Sequence, residues 1–269
     1  MRKVHSKDGT AIAFDRSGKG PVVILVGGAF TDRSQPTLVQ LATLLAPHFT
    51  VFNYDRRGRG DSGDTAPYAV EREVEDLEAL IKEAGGSAFV CGFSSGAALA
   101  LEAARGLAIT KLALYEPPFI VDDSRPRLPE DFATQLTELV SSGRRGDAAE
   151  LFMTKAAEVP VEVVAQMRQA PFWPTVEAVA HTLIYDTTIM GDNNALPTER
   201  IASVAVPTLV IDGGASPVWL RHAAQAVADA LLDAQRRTLE GQTHDVAPDT
   251  LAPVLEKFFA GQMRRNHHE

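Results

Sequence analysis

Apolar positions recur along the chain in two rhythms. Continuous apolar runs at 21–26, 88–93, 111–115 and 208–212 read as strands buried on both faces. Two shorter alternating runs, 3–6 and 10–15, flank Asp8-Gly9 and predict an opening antiparallel hairpin. Further strands are predicted at 50–54 and 235–239. Between the strands lie helical patterns at 38–45, 71–83, 95–105, 219–232 and 251–260. In the second of these, Val74, Leu77, Leu80 and Ile81 form an amphipathic stripe. Strands alternating with helices imply an α/β fold, a mostly parallel sheet with helices on both faces. The rhythm breaks between 120 and 201, where helices at 129–140, 147–157, 161–169 and 176–189 are separated by Pro and Gly, with no convincing strand. The simplest organisation is an α/β core of residues 1–119 and 202–269, interrupted by a helical insertion at 120–201. The segment 264–269 reads as a frayed end, in preference to metal binding by His267-His268.

Composition narrows the class. The 269 residues are 45% hydrophobic and 23% charged, the balance of a soluble globular protein with ample chain for a core. A formal net charge of -9 argues against a nucleic-acid footprint. Cys91 is the single cysteine, which excludes an intramolecular disulfide. No stretch reaches the roughly 18 apolar residues of a membrane span, and the first 15 residues lack the apolar run of a signal peptide. The expectation is a cytoplasmic protein acting on a small molecule, with neither membrane nor nucleic acid as partner. Its oligomeric state is left open.

The chemistry concentrates at Gly92-Phe93-Ser94-Ser95-Gly96, where a predicted strand gives way to a helix. A serine on so tight a turn is lifted clear of the sheet, and glycines at 92 and 96 leave room for it. The helix N-terminus beneath it favours developing negative charge. Serine is also a common helix cap, but the strand-to-helix context favours a nucleophile. A serine hydroxyl needs a base. His244 follows the last predicted strand, at the carboxyl edge of the sheet where Ser94 lies. His5 and His48 fall early in the chain, His222 lies inside a helix, and His181 lies in the insertion, within reach of a substrate.

These segments resemble the α/β-hydrolase superfamily, and most closely its small bacterial esterase/haloperoxidase-like branch. The likeness rests on Val26-Gly27-Gly28-Ala29-Phe30, on 54–62 (Tyr-Asp-Arg-Arg-Gly-Arg-Gly-Asp-Ser), on the Ser94 turn and on His244. It implies an oxyanion hole made by the backbone N–H of Ser95 and one from the loop after the third strand, Ala29 first and Phe30 second. It also implies that the insertion is a helical cap. The Arg56-Arg57-Gly58 turn reads as a loop and helix-packing signature, not a catalytic arginine pair.

The resemblance weakens at the acid. Relatives carry an aspartate just beyond the strand at 208–212, where this chain has Gly213-Gly214-Ala215-Ser216. A neutral serine cannot stabilise an imidazolium. Glu116, ending the strand at 111–115, is the leading substitute and Asp212 the alternative; Asp245 is too close to His244 in sequence to reach its ring. Within the insertion, Phe172 and Trp173 stand between Pro171 and Pro174, a rigid kink expected to present aromatic surface to a substrate, and Phe30 is also expected to bind substrate. The function expected is hydrolysis of a small apolar ester or lactone through an acyl-enzyme, without metal or organic cofactor. Carbon–carbon bond hydrolysis, cofactor-free perhydrolysis and a non-catalytic ligand-binding role are the alternatives. Haloalkane dehalogenation is disfavoured, since it needs a carboxylate where Ser94 stands.

Overall fold

The computed structural model describes residues 1–261; the segment 264–269 expected to fray, with His267-His268, lies outside them. Eight strands form one sheet: β1 (Arg2–His5), β2 (Ala11–Gly18), β3 (Val22–Val26), β4 (Thr50–Tyr54), β5 (Ala88–Phe93), β6 (Ile109–Tyr115), β7 (Thr208–Gly213) and β8 (Ala234–Leu239). Their order is β1-β2-β4-β3-β5-β6-β7-β8. Strands β1 and β2 pair antiparallel, as does β2 with β4, and all other pairs are parallel. The predicted α/β class holds.

Helices α1 (Pro36–Leu45) and α11 (Pro248–Ala260) cover one face, where Leu41, Leu45, Leu251 and Leu255 meet Val23, Leu25 and Ile211. On the other face lie α2 (Val70–Glu83), α3 (Ser95–Ala103) and α10 (Val218–Ala230). Coverage on both sides explains why β3 and β7 read as unbroken apolar runs. Strand β8 is one edge, β1 the other, and β8 is largely polar and carries Arg236 and Arg237, a composition that discourages edge-to-edge pairing.

Between β6 and β7 the chain is helical: α4 (Phe132–Ser141), α5 (Arg145–Leu151), α6 (Val161–Met167), α7 (Trp173–Val179), α8 (Leu183–Met190) and α9 (Thr198–Ile201). Two predicted helices are broken up. The one expected at 147–157 ends as a π-turn at Phe152–Ala156, and that expected at 176–189 divides at a 3₁₀ turn, Ala180–Thr182. This segment has its own core around Leu136, Met153, Val164, Trp173 and Leu183. No helix among the described residues is long and apolar enough to cross a membrane.

Candidate active site

Strand β5 delivers Ser94 to the carboxyl edge of the sheet. Its φ of 53° is unfavourable for a residue with a side chain, and it persists because the surroundings hold the turn. Ser94 N donates to Tyr115 O at 2.9 Å, tying the turn to β6. The flanking glycines are steric necessities: a Cβ at Gly96 would lie 2.4 Å from Gly27 O, and one at Gly92 2.6 Å from Gly96 O. Gly28 also packs against the turn, less tightly, its notional Cβ 3.0 Å from that of Ser94.

Strand β6 delivers Glu116, which is fully buried and again has a positive φ of 46°. Its Oε2 lies 2.7 Å from His244 Nδ1, and its Oε1 accepts the Gly213 N–H at 2.7 Å. The Glu116 N–H donates in turn to Ile211 O, so β7 grips this residue at both ends. The loop carrying His244 is fastened by the Tyr115 hydroxyl, which donates to Thr243 O at 2.5 Å, and by Gln242 Oε1, which accepts the Ala247 N–H. His244 itself is half-exposed, at 45%.

Asp212, the alternative acid, does not join this group. It accepts two bonds of 2.9 Å from Arg236 Nε and Nη2, and the Thr238 hydroxyl completes its shell. Both partners belong to β8, and they hold its carboxylate away from His244. Ser216 is buried with its Oγ lacking a partner among the described residues.

On the other side of Ser94 the glycine loop 27–28 is held by two buried arginines. Arg59 Nη1 donates to Gly28 O, and Arg56 Nη1 reaches Gly27 O at 3.3 Å. In a trans peptide the C=O and the following N–H point oppositely, so anchoring Gly28 O on Arg59 turns the Ala29 N–H to the other side. Ser95 opens α3, so its N–H is among those a helix leaves without an internal acceptor. Its hydroxyl donates to Asp186 Oδ1 at 2.7 Å. Asp186, on α8, also pairs with Arg56 (2.8 Å) and Arg59 (2.8 Å), while Glu73 and Arg56 form a bidentate pair at 2.7 and 2.8 Å. Burial alone would raise the Asp186 carboxyl; Arg59, Arg56 and the Ser95 hydroxyl more than offset it, leaving it below the usual carboxylate range. Arg57 takes a separate structural role, bidentate to Asp76 and bonded to Asp8.

Ser94 and His244 both line two adjoining hollows. One, of about 240 Å³, lies beneath the helical segment, walled by Phe132, Phe152, Met190, Trp219 and Leu220, with Ala29 and Ser95 at its floor. The other, of about 340 Å³, opens between the glycine loop, Phe30, Leu38 and Val246. Phe30 sits with φ 62° and packs edge-on against Phe152 at 5.6 Å.

The expected aromatic kink is a correction: neither Phe172 nor Trp173 lines either hollow. Phe172 is 47% exposed, and Trp173 is buried in the helical segment's own core, its Nε1 bonded to Glu177 at 3.0 Å. Pro174 falls in the first turn of α7, where proline starts a helix, so the pattern marks a helix boundary. His181 also misses both hollows; its Nε2 faces Asp64 at 3.5 Å. Arg59 stands in the 54–62 segment with no role assigned to it from sequence, and the sequence reading misses Asp186 and Asn194, the latter of which lines the smaller hollow. The one available signal is Asp186 itself, the single charged residue in the run 183–190.

The model of the Alpha/beta hydrolase family matches residues 22–255. The chain belongs to that family. It is accordingly a hydrolase. An alpha/beta hydrolase from Sphaerobacter thermophilus, known from a crystal structure, is 62% identical, with a TM-score of 0.90, covering 96% of this chain and all of that one. A 3-oxoadipate enol-lactonase from Acinetobacter baylyi is 25% identical over 236 residues, 81% of this chain and 82% of its own. An uncharacterized hydrolase, YraK, of Bacillus subtilis is 35% identical over 98 residues, so the match spans about a third of either chain.

Proposed function

We propose that this hydrolase cleaves a small ester or lactone through an acyl-enzyme on Ser94. The observation that carries the reading is the 2.7 Å contact between buried Glu116 and His244 Nδ1, beside hollows that His244 shares with Ser94. A carboxylate on Nδ1 fixes the tautomer that leaves Nε2 free to accept the serine proton, and it stabilises the imidazolium that results. Ser94 Oγ attacks the carbonyl carbon and its proton passes to His244. The tetrahedral oxyanion is received by the N–H groups of Ala29 and Ser95. Collapse expels the alcohol, protonated by His244. Water then attacks the acyl-enzyme with His244 as base, releasing the acid and restoring Ser94. The enol-lactonase relative supports an ester-type bond, and the apolar walls of both hollows support an apolar acyl or alcohol group. In this reading residues 120–201 act as a cap over a core of 1–119 and 202–269. The non-catalytic alternative draws its support from Ser216 at the usual acid position; the carboxylate of Glu116 on His244 weighs against it.

A fluorophosphonate probe, which phosphonylates an activated serine, tests the proposal. Wild type should label rapidly and Ser94→Ala not at all. Hydrolysis of p-nitrophenyl acetate to pentanoate should fall by about 10⁶ in Ser94→Ala, the scale of removing a triad nucleophile. An unlabelled wild-type protein, or equal turnover by Ser94→Ala, would overturn it.

A further inference from the structure

Apart from Ser94, Ser95 and His244, the 240 Å³ hollow beneath the helical segment is lined by three residues with polar side-chain atoms, Thr187, Asn194 and Trp219, and the Thr187 hydroxyl already donates to Leu183 O at 2.9 Å. Asn194 is 5% exposed and Trp219 6%, and both line it. The backbone of Asn194 is already committed, its N–H to Gly191 O and its carbonyl to the Ile120 N–H, while its side-chain amide bonds to no other described residue. The Trp219 Nε1–H is buried and has no partner among the described residues. Leaving such groups unpaired is costly, so their presence in an apolar wall asks for a ligand that pairs them.

The backbone does not explain the choice of asparagine. Asn193 and Asn194 both take left-handed conformations, φ 54° and 51°, which asparagine tolerates well. Asn193 is exposed, as that role alone would allow, whereas Asn194 is buried and lines the hollow. Glycine would serve the turn without that desolvation cost. Trp219 is held in place by Arg125, whose guanidinium lies 4.6 Å from the ring centroid. The guanidinium is itself tied to the carbonyls of Pro126, Ala156 and Lys155. A fixed positive charge against the indole strengthens the pull of its N–H on an electron-rich group.

We propose that the hollow selects a substrate whose buried portion carries a hydrogen-bond-accepting oxygen, received by the Asn194 amide NH₂ and the Trp219 Nε1–H. The inference rests on the ester-hydrolase reading and adds a substrate class to it: an oxo- or alkoxy-substituted acyl or lactone group, not a plain hydrocarbon. The hollow is smaller than the ~300–1,000 Å³ of drug-sized sites, so the substituent sits only a few atoms from the scissile carbonyl.

The test compares p-nitrophenyl pentanoate with p-nitrophenyl 4-oxopentanoate, and hexanoate with 5-oxohexanoate, each rate divided by that of hydroxide-catalysed hydrolysis. Wild type should prefer at least one oxo ester by about 10- to 100-fold in kcat/KM, the scale of one or two buried hydrogen bonds. Asn194→Asp, which keeps the left-handed backbone but presents an anion, and Trp219→Phe should each lower that ratio about tenfold or more. Because the readout is a ratio on the same protein, a loss common to both esters cancels. A wild-type ratio near one, or a preference that survives both substitutions, overturns the subsite while leaving the Ser94 chemistry intact. Turnover of neither ester, with no fluorophosphonate labelling, overturns the hydrolase reading and the subsite with it.

Discussion

Glu116 and Asp186 are both fully buried carboxylates beside the Ser94 turn, yet their charges are met in opposite ways. Asp186 sits in a closed cluster with Arg56, Arg59 and Glu73, two cations against two anions, all buried and permanently paired. Glu116 has no arginine or lysine partner among the described residues. It has one backbone N–H and one imidazole. A carboxylate whose countercharges are fixed has nothing left to give to a reaction, and what it can do is hold geometry. One whose only cation is titratable gains its full partner when a proton reaches the ring, the moment at which a serine is being deprotonated. The same functional group, equally buried, thus holds geometry on one side of Ser94 and, in the proposed mechanism, serves the chemistry on the other.

Between these two carboxylates, the largest expected effect follows from the Glu116 side. Glu116→Gln removes the charge that would stabilise the imidazolium, and kcat on a p-nitrophenyl ester should drop on the order of 10⁴. The melting temperature should move little, since the amide oxygen can still accept from Gly213. Equal turnover by wild type and Glu116→Gln would show that the contact with His244 is not used. Asp212→Asn is the control at the neighbouring strand end. It should leave kcat unchanged but destabilise the fold by about 1–3 kcal/mol, because Arg236 loses its bidentate partner, as measured by urea unfolding.

Asp186→Asn attacks the other side. It leaves two buried arginines with one carboxylate, and the loss of stability should be about 3–5 kcal/mol. Activity should suffer as well, through position alone. Arg59 holds the Gly28 carbonyl and Asp186 holds the Ser95 hydroxyl, so loosening the cluster lets both proposed oxyanion donors drift. Losing one such donor costs about 10²–10³ in rate. The expected signature is a lower kcat with KM nearly constant, measured well below the variant's unfolding temperature. A full stability loss with kcat intact would confine Asp186 to holding the fold.

How much of this was legible in the sequence depends on the range of the contacts. Strands, the glycine-flanked turn and the position of His244 after β8 are local features, written in runs of a few residues. Glu116 could be named because a carboxylate ending an apolar strand needs a partner, and the sheet edge offered one. Asp186 could not, since its contacts to Ser95, Arg59 and Arg56 span 91, 127 and 130 residues, and only the docking of α8 makes them. Phe172-Trp173 failed for a related reason. An aromatic pair between two prolines suits a ligand wall and a helix start equally well, and the helical segment needs Trp173 for its own core. Asn194 was masked by a turn of Gly, Asp and Asn that resembles any loop.

The smallest effect is a matter of pH, and it separates the two carboxylates without any substrate. Asp186 is held below its ordinary range by Arg59 and Arg56 despite burial. A group depressed on folding contributes stability that is fully present above its unfolded value, near pH ~3.9, and that is lost as pH falls through the lower folded value. The unfolding free energy of wild type minus that of Asp186→Asn should therefore stay constant from pH 7 to 5 and shrink only below about 4. A gap that closed near pH 6 would mean that a histidine, not Asp186, governs the cluster. A gap unchanged at pH 3 would mean that geometry, not charge, is what Asp186 supplies.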